Sequence, residues 1–231
     1  MQSFPAEFRA LVIGASGSIG AAFHTLLSQN THCAQVVCLH RQSQPPIDFD
    51  HEASIAAAAT QLAIEGKFHL IIAATGMLHS GQFMPEKRLA DLNYAQMEQT
   101  FRTNTLGPAM VMRHFAPLLD AQRGVLALLS AKVGSTQDNR LGGWYSYRAS
   151  KAALNMLLKT AAIEVKRTNP NAVLVALHPG TVNSHLSQPF RGAEIGRSPL
   201  DAASDMLRVI DSLALGDTGR FVSYKGESLP W

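Results

Sequence analysis

The hydrophobic positions divide the chain into alternating strand-like and helix-like segments. Five short apolar runs predict buried strands at 10–13, 36–40, 68–74, 124–130 and 171–180, and a further run predicts an edge strand at 219–225. Apolar residues recur at helical spacing in segments 21–30, 54–66, 93–120, 146–167 and 200–215. We expect the helix at 93–120 to break around Gly107 and Pro108, because proline interrupts the helical hydrogen bonding.

Strands that alternate with helices imply a parallel sheet covered on both faces. No repeat, low-complexity linker or change of composition divides the sequence. With 231 residues, of which 46% are hydrophobic, the chain is long enough to bury one sizeable core. We therefore predict a single α/β domain over residues 1–231.

Charge and composition bear on partners and location. The chain carries 20 basic and 17 acidic residues without a basic cluster, so we expect no nucleic-acid partner. Cys33 and Cys38 flank a predicted strand too far apart for a disulfide, which favours a reducing compartment. No apolar run approaches the roughly 20 residues of a membrane span, and no histidine pair has the HExxH spacing of a metal site. We therefore expect a cytoplasmic protein without a membrane span or a metal.

A glycine cluster, GASGSIG, lies directly between the first predicted strand and the first helix. Gly14 and Gly17 let the backbone turn tightly and approach a pyrophosphate, while Gly20 lets the helix pack closely on the sheet. The helix N-terminus offers free N–H groups to phosphate oxygens. The predicted nucleotide site also includes Ser16, Ser18 and Ile19. An ordinary glycine turn is the alternative interpretation.

The end of the second predicted strand bears on which nicotinamide cofactor binds. An acidic residue there would accept hydrogen bonds from a free ribose 2′-hydroxyl, but the chain reads LHRQS. His40 and Arg41 instead offer hydrogen-donating or positive groups that suit a 2′-phosphate. We predict NADP(H) in preference to NAD(H), with Asp48 and Phe49 among the cofactor-binding residues. A solvated loop arginine is the alternative for Arg41.

Tyr147 and Lys151 begin a strongly helical segment four residues apart, which places both on one helix face. Reduction of a carbonyl needs a proton donor as hydride arrives, but a free tyrosine, with a pKa of about 10, is poorly matched to neutral pH. We expect the Lys151 ammonium and the positive nicotinamide ring to lower the Tyr147 pKa. A surface pair on an amphipathic helix is the alternative.

Together these motifs resemble those of the short-chain dehydrogenase/reductase family, over essentially the whole chain. The resemblance rests on the glycine turn, AATG at 73–76, Asn104 in RTNTLG, YRASK at 147–151 and HPGTV at 178–182. It implies a single-domain Rossmann-type, doubly wound parallel sheet with helices on both faces. It also implies a relay role for Asn104, for which a satisfied buried amide is the alternative. Implied cofactor contacts come from Ala74, Thr75, Gly76, Pro179, Gly180 and Val182, in addition to Tyr147 and Lys151.

Within that family, the segment around Tyr147 and the terminal GESLPW resemble the C-factor cell-signalling proteins and related carbonyl reductases. The resemblance implies hydride transfer between NADP(H) and a small carbonyl or alcohol substrate, with Tyr147 as the general acid/base. It also implies a homodimer or homotetramer. An NAD(P)-binding signalling or sensor protein with little or no turnover is the alternative function.

The sequence departs from the family pattern at two positions. Relatives place a catalytic serine second in a Ser-Ser pair at a strand end, whereas this chain has Ser130 followed by Ala131. Strand alternation points Ser130 to the opposite face, so we favour Ser135 on the following loop, with Ser130 as the alternative. The second departure is AATG, which lacks the two asparagines that ordinarily tie neighbouring strands. Thr75 is expected to substitute for them in part.

The segment 183–199 is polar and rich in Gly, Pro and Ser, which predicts a loop. We interpret it as a substrate lid over the nicotinamide end. The lid residues expected to face the substrate are His185, Leu186 and Phe190. Trp144 and Tyr145 are further candidates for the pocket wall, with core or subunit packing as the alternative. An apolar, medium-sized carbonyl compound is the predicted substrate.

Overall fold

Six parallel strands form one sheet in the computed structural model, which describes residues 1–231. The strands are β1 Phe8–Ile13, β2 Cys33–Leu39, β3 Leu70–Ala73, β4 Gly124–Leu129, β5 Ala172–His178 and β6 Arg220–Ser223. Their order across the sheet is β2-β1-β3-β4-β5-β6, and every neighbouring pair runs parallel. Cys33 and Cys38 both lie on β2 as free thiols.

Helices connect the strands and cover both faces of the sheet. They are α1 Ser18–Ser28, α2 Glu52–Ile64, α3 Tyr94–Phe101, α4 Gly107–Phe115, α5 Tyr145–Thr168, α6 Gly192–Ile195 and α7 Pro199–Ser212. None of them is long and apolar enough to cross a membrane. The predicted single-domain, doubly wound α/β fold is confirmed.

Alternation along the strands divides the core into two layers. On β1, Leu11 and Ile13 pack into the layer that contains α2, α4 and α5, where Leu154 of α5 is fully buried. Ala10 and Val12 face the opposite layer, with α1 and α7. Burial on both faces explains why the strands read as continuous apolar runs, and it holds the carboxyl ends of the strands together at one edge.

A single π-helical turn, Arg102–Leu106, joins α3 to α4. The sequence predicts an interruption around Gly107 and Pro108, whereas the irregularity lies just before them and the two helices are continuous through it. Pro108 occupies the first turn of α4, where a missing N–H is tolerated. Because Pro108 has no N–H, it cannot donate to the carbonyl of Asn104 four residues earlier.

The packing of Gly20 gives a testable consequence for stability. A Cβ atom on Gly20 would lie 2.2 Å from the carbonyl oxygen of Gly14, so Gly20→Ala must push α1 away from the turn. We expect urea titration to show that the free energy of unfolding of Gly20→Ala is lower than that of the parent by about 1–3 kcal/mol. Gly216→Ala is the control, because nothing lies within 4 Å of its Cβ position. Equal stability of the two variants would contradict this packing.

Candidate active site

A cleft of about 460 Å³ opens along the carboxyl edge of the sheet. After β1 the chain adds β2 on one side, and then β3 and the later strands on the other side of β1. Ligands of open α/β sheets bind at such a switch point, which here lies between β1 and β3. The cleft is lined by the glycine turn, the ends of β3, β4 and β5, the first turn of α5 and much of segment 178–195. The motifs found separately in the sequence thus surround one cavity.

The glycine turn brings unpaired backbone N–H groups to one end of the cleft. Gly14 adopts a left-handed conformation with φ 86°, and Gly17 is the N-cap of α1 without a side-chain cap. A Cβ on Gly17 would meet only the Gly14 carbonyl oxygen, at 3.5 Å, so the space in front of the turn is open. Ser18 and Ile19 line the cleft, while Ser16 is exposed. An uncapped helix N-terminus at an open surface suits a phosphate group.

The end of β2 lies directly beside the glycine turn. The N–H groups of Gly14 and Ala15 both donate to the Leu39 carbonyl, at 2.8 and 3.3 Å. His40 accepts a hydrogen bond from Gln42 N–H through its Nδ1, at 3.2 Å. Arg41 is exposed and forms no hydrogen bond or ion pair. The Arg41 charge acts on the Asp48 carboxylate and contributes to its lowered pKa, and neither His40 nor Arg41 lines the cleft itself.

Asp48 and Phe49 lie outside the cleft. The Asp48 carboxylate accepts a hydrogen bond from Asp50 N–H at 3.1 Å and lies 3.2 Å from His51 Nδ1. These contacts, the backbone bond first, lower the Asp48 pKa. The Phe49 ring packs on Gly107, where a Cβ would come within 2.0 Å of it. The structure thus gives both residues local packing partners and does not bring their side chains into the cavity.

The AATG segment passes along the middle of the cleft. Ala74, Thr75 and Gly76 all line it, and a Cβ on Gly76 would lie 3.7 Å from Lys151 Nζ. Thr75 Oγ1 is buried without a hydrogen-bond partner. The expectation that Thr75 replaces the missing asparagines in bonding is therefore wrong. Its free hydroxyl is instead an unused polar group on the cleft wall.

Tyr147 and Lys151 lie in the first two turns of α5 and both face the cleft. Tyr147 is 9% exposed and Lys151 is 2% exposed. The Lys151 ammonium donates to the Leu129 carbonyl at the end of β4, at 2.9 Å. It lies 6.0 Å from the centroid of the Tyr147 ring. The alternative of a surface pair is excluded by this burial.

Burial shifts the two pKa values in opposite directions. Desolvation lowers the pKa of Lys151 to about 8 and raises the pKa of Tyr147 to about 12. The sequence predicts a lowered Tyr147 pKa, whereas the environment of the residue in this chain raises it. The physical reason is that desolvation disfavours tyrosinate, and the ammonium is turned to a carbonyl rather than to the phenol. The phenol is therefore held as a proton donor at neutral pH.

Asn104 lies within the π-helical turn and is fully buried. Its Oδ1 accepts from Met77 N–H and its Nδ2 donates to Met77 O, both at 2.8 Å. Nδ2 also donates to Ser150 Oγ at 3.1 Å. The side chain is thus a satisfied buried amide that ties the segment after β3 to α5.

The two candidate serines lie in different places. Ser130 borders the cleft, but its hydroxyl donates to Asn155 Oδ1 at 2.6 Å. Ser135 lies outside the cleft and donates to the Trp231 carbonyl at 3.1 Å. Strand alternation at the end of β4 instead turns Ala131 towards Tyr147, in a small cluster that includes Leu78. The structure does not bring Ser135 to Tyr147. The position beside Tyr147 where relatives have the catalytic serine is occupied by the apolar Ala131.

The Pro-Gly turn after β5 forms the opposite wall of the cleft. Pro179, Gly180 and Val182 all line it. Gly180 has φ 78°, and a Cβ there would lie 2.8 Å from the Tyr224 ring, so only glycine fits. His178, which no sequence motif marks as functional, has a buried Nδ1 without a partner. Burial, followed by the charge of Lys132, lowers its pKa to about 4.

The segment 183–199 contains two short helical turns, Gln188–Phe190 and α6, where the sequence predicts a loop. A backbone bridge between Val182 and Arg197 closes its base. The ring of Phe190 packs edge-on against Trp144 at 5.1 Å, and Trp144 packs edge-on against Tyr147 at 6.2 Å. His185 and Leu186 also face the cleft, whereas Tyr145 lines a separate cavity. The ring of His79, which no sequence motif marks, stacks on the ring of His185 with 5.5 Å between their centroids.

Comparison with known proteins agrees with this geometry. The chain matches the family described as short chain dehydrogenase over residues 9–194. The 1-hydroxy-2-glutathionyl-2-methyl-3-butene dehydrogenase of Rhodococcus sp. (strain AD45) is 28% identical over 230 residues, which are 96% of this chain and 98% of that protein. C-signal of Myxococcus xanthus is 38% identical over 146 residues, or 62% of this chain and 83% of that protein.

Solved structures extend the comparison to the whole fold. The NADPH-bound carbonyl reductase from chicken fatty liver superimposes with a TM-score of 0.84 over 99% of this chain and 96% of that chain, at 23% identity. At this identity the likeness concerns the fold. The sequence match covers the glycine turn, Asn104, Tyr147 and Lys151. The chain therefore belongs to the short chain dehydrogenase family of oxidoreductases.

Proposed function

We propose that this protein is an NADP(H)-dependent oxidoreductase that transfers a hydride between nicotinamide and a carbonyl or alcohol substrate. The observation that carries the proposal is the burial of Tyr147 and Lys151 on one face of α5, at a cleft that begins at the glycine turn. A proton donor and a buried cation beside a phosphate-binding turn are the groups that hydride transfer to a carbonyl requires.

The residues of the cleft fit a nicotinamide dinucleotide. The uncapped N-terminus of α1 suits the pyrophosphate. Thr75, with its unpartnered hydroxyl, and the wall of Ala74 and Gly76 suit the adenosine and ribose path. The Pro179-Gly180 turn lies on the side where the nicotinamide ring is expected. When bound, the cofactor supplies or accepts the hydride.

Tyr147 is the general acid in the direction of reduction. Its raised pKa keeps the phenol protonated, so it can donate its proton to the substrate oxygen. As the proton leaves, negative charge develops on Oη, and the Lys151 ammonium 6.0 Å from the ring stabilises that charge. In the reverse direction the deprotonated Tyr147 Oη accepts the proton of the alcohol. Asn104 holds the turn of α5 that carries these two residues through its hydrogen bond to Ser150.

The wall of the cleft beyond Tyr147 favours an apolar substrate. Leu78 and Ala131 pack beside the phenol, and Trp144, Leu186 and Phe190 surround them. A medium-sized carbonyl compound without charge suits such a surface. The segment 183–199 is proposed to serve as a lid, because its base is closed by the Val182–Arg197 bridge while Phe190 contacts Trp144.

Replacement of one hydroxyl tests the proposed chemistry. We expect Tyr147→Phe to lower kcat for reduction of benzaldehyde, acetophenone and menadione with NADPH by at least about 100-fold, since the proton donor is lost. NADPH binding, measured by fluorescence, should remain within about threefold of the parent, because the aromatic ring is kept. Tyr145→Phe is the matched control, since that tyrosine lines the separate cavity. NADPH binding without turnover in the parent would favour the sensor alternative.

The pH dependence of reduction follows from the two pKa values. Lys151, at about 8, loses its proton well before Tyr147, at about 12. We therefore expect kcat/KM for reduction to be level below about pH 8 and to fall above it, as the ammonium that stabilises developing tyrosinate is lost. In Lys151→Arg the guanidinium stays protonated, so this fall should disappear even if the rate is lower. A parent profile that stays level to about pH 10 would contradict the assignment.

The preference for NADP(H) rests on Arg41. Arg41 is exposed and lies two residues after Leu39, whose carbonyl accepts from the glycine turn. We therefore expect Arg41→Asp to lower kcat/KM with NADPH by at least about tenfold, the effect of losing one charge-assisted contact. The value with NADH should rise or stay constant. Arg140→Asp, at another exposed arginine, should leave both values unchanged. If the ratio of kcat/KM with NADPH to kcat/KM with NADH is unaltered in Arg41→Asp, Arg41 is a solvated loop residue that does not contact the cofactor.

A further inference from the structure

Glu86 is the only buried carboxylate in the protein, with 2% of its surface exposed. No Lys, Arg or His side chain forms an ion pair with it. A buried carboxyl group without a cationic partner needs hydrogen-bond donors to offset its desolvation. The place of those donors therefore indicates what Glu86 does.

Both donors come from the first turn of α5, 60 residues further along the chain. Ser146 N–H donates to Glu86 Oε2 at 3.2 Å, and the Ser146 hydroxyl donates to Oε1. The main chain adds a third contact, since Trp144 N–H donates to the Glu86 carbonyl at 2.5 Å. Glu86 thus binds the residue directly before Tyr147 and the residue that packs on the Tyr147 ring.

α5 has no cap of its own. Its N-cap residue is Trp144, which has a left-handed backbone, φ 53° and ψ 43°, and a side chain that cannot accept a hydrogen bond from the helix. The free N–H groups and the positive end of the helix dipole need an acceptor there. The Glu86 carboxyl group supplies one from a distant segment, in place of the usual Ser, Thr, Asp or Asn.

The segment that carries Glu86 is itself fixed on both sides. Before it, Gln96 Nε2 on α3 donates to the Met84 carbonyl at 2.8 Å. After it, Lys87 N–H and Arg88 N–H donate to Asp91 Oδ2 at 3.1 and 3.0 Å. The segment around Glu86 is therefore held on both sides by hydrogen bonds that do not involve α5.

We propose that Glu86 is a positioning residue for the proton transfer, which caps α5 and thereby sets the place of the Tyr147 phenol in the cleft. The inference rests on the proposed function, in which Tyr147 donates the proton. Glu86 acts through Ser146 and Trp144, and it does not line the cleft. It therefore affects the step in which the phenol reacts, and it leaves the phosphate end of the cofactor site untouched.

Two substitutions at Glu86 separate geometry from general stability. Glu86→Ala removes the acceptor, and we expect kcat to fall by about 10- to 100-fold, as displacements of about 1 Å in a reacting group do. NADPH binding should stay within about twofold of the parent. Glu86→Gln keeps an oxygen that accepts the Ser146 N–H, so it should restore kcat to within about threefold. Asp217→Ala is the control: that carboxylate accepts the Ala214 N–H at 2.8 Å just before β6, at the amino edge of the sheet.

The solvent deuterium isotope effect on kcat gives a readout that a loss of folded protein would not move. With the best of the three carbonyl compounds above, we expect a larger isotope effect in Glu86→Ala than in the parent, because a displaced phenol makes proton transfer slower. Asp217→Ala should leave it unchanged. A lower kcat with an unchanged isotope effect, or a parent-like kcat in Glu86→Ala, would overturn the proposal.

Amide hydrogen exchange tests the cap without turnover. Mass spectrometry of the peptide covering 144–151 should show faster exchange in Glu86→Ala, and parent-like exchange in Glu86→Gln and Asp217→Ala. Unchanged exchange in Glu86→Ala would overturn the inference, whether or not the parent reduces a carbonyl. A parent that reduces none of the three compounds would refute the proposed function instead. If Glu86→Ala does not fold, Ser146→Ala removes one of the same bonds and carries the same expectations in kcat and exchange.

Discussion

The hydrogen bond from the buried Lys151 ammonium to the Leu129 carbonyl joins α5 to the end of β4 inside the cleft. A buried ammonium group needs hydrogen-bond acceptors in place of water. The Leu129 carbonyl, at the end of β4, is such an acceptor for Lys151. Burial also lowers the pKa of Lys151 to about 8. In the proposed function, the charge that stabilises tyrosinate is therefore a cation held where desolvation makes it costly.

Buried polar contacts around α5 extend this constraint to the rest of the site. Asn104 joins Met77, after β3, to Ser150 on α5, and Thr105 Oγ1 donates to the Ser150 carbonyl at 2.8 Å. Glu86 holds the beginning of the same helix. Each contact comes from a different segment of the chain, and fully satisfied networks of this kind specify one arrangement. These contacts hold the first turns of α5, which carry Tyr147, from several directions, as the proposed proton transfer requires.

Local pattern was sufficient to predict the parts of the molecule that are built from neighbouring residues. The parallel α/β fold follows from the alternation of apolar runs with helical periodicity, and the turn at Gly14, Gly17 and Gly20 follows from its place between strand and helix. The spacing of Tyr147 and Lys151 placed both on one helix face. The helical interruption was predicted a few residues late, because the π-helical turn precedes the proline that marked it.

Features that depend on distant residues could not be read from local pattern. Strand alternation favoured Ser135 over Ser130, but the Ser135 hydroxyl donates to the Trp231 carbonyl instead of facing Tyr147. The direction of the Tyr147 pKa depends on burial, which spacing does not reveal. Glu86 lies 60 residues from the helix it caps, and no motif marks it. The helical turns within 183–199 form on a base closed by tertiary contacts, so composition alone indicated a loop.

The proposed reaction passes a hydride between nicotinamide and a carbonyl carbon in this cleft. The most direct measurement uses NADPH carrying deuterium at both C4 positions of the reduced nicotinamide ring, with mass spectrometry of the benzyl alcohol formed from benzaldehyde and of the alcohols formed from other aldehydes and ketones. We expect one deuterium on the former carbonyl carbon of the product. Absence of product, or an alcohol without deuterium at that carbon, would contradict it.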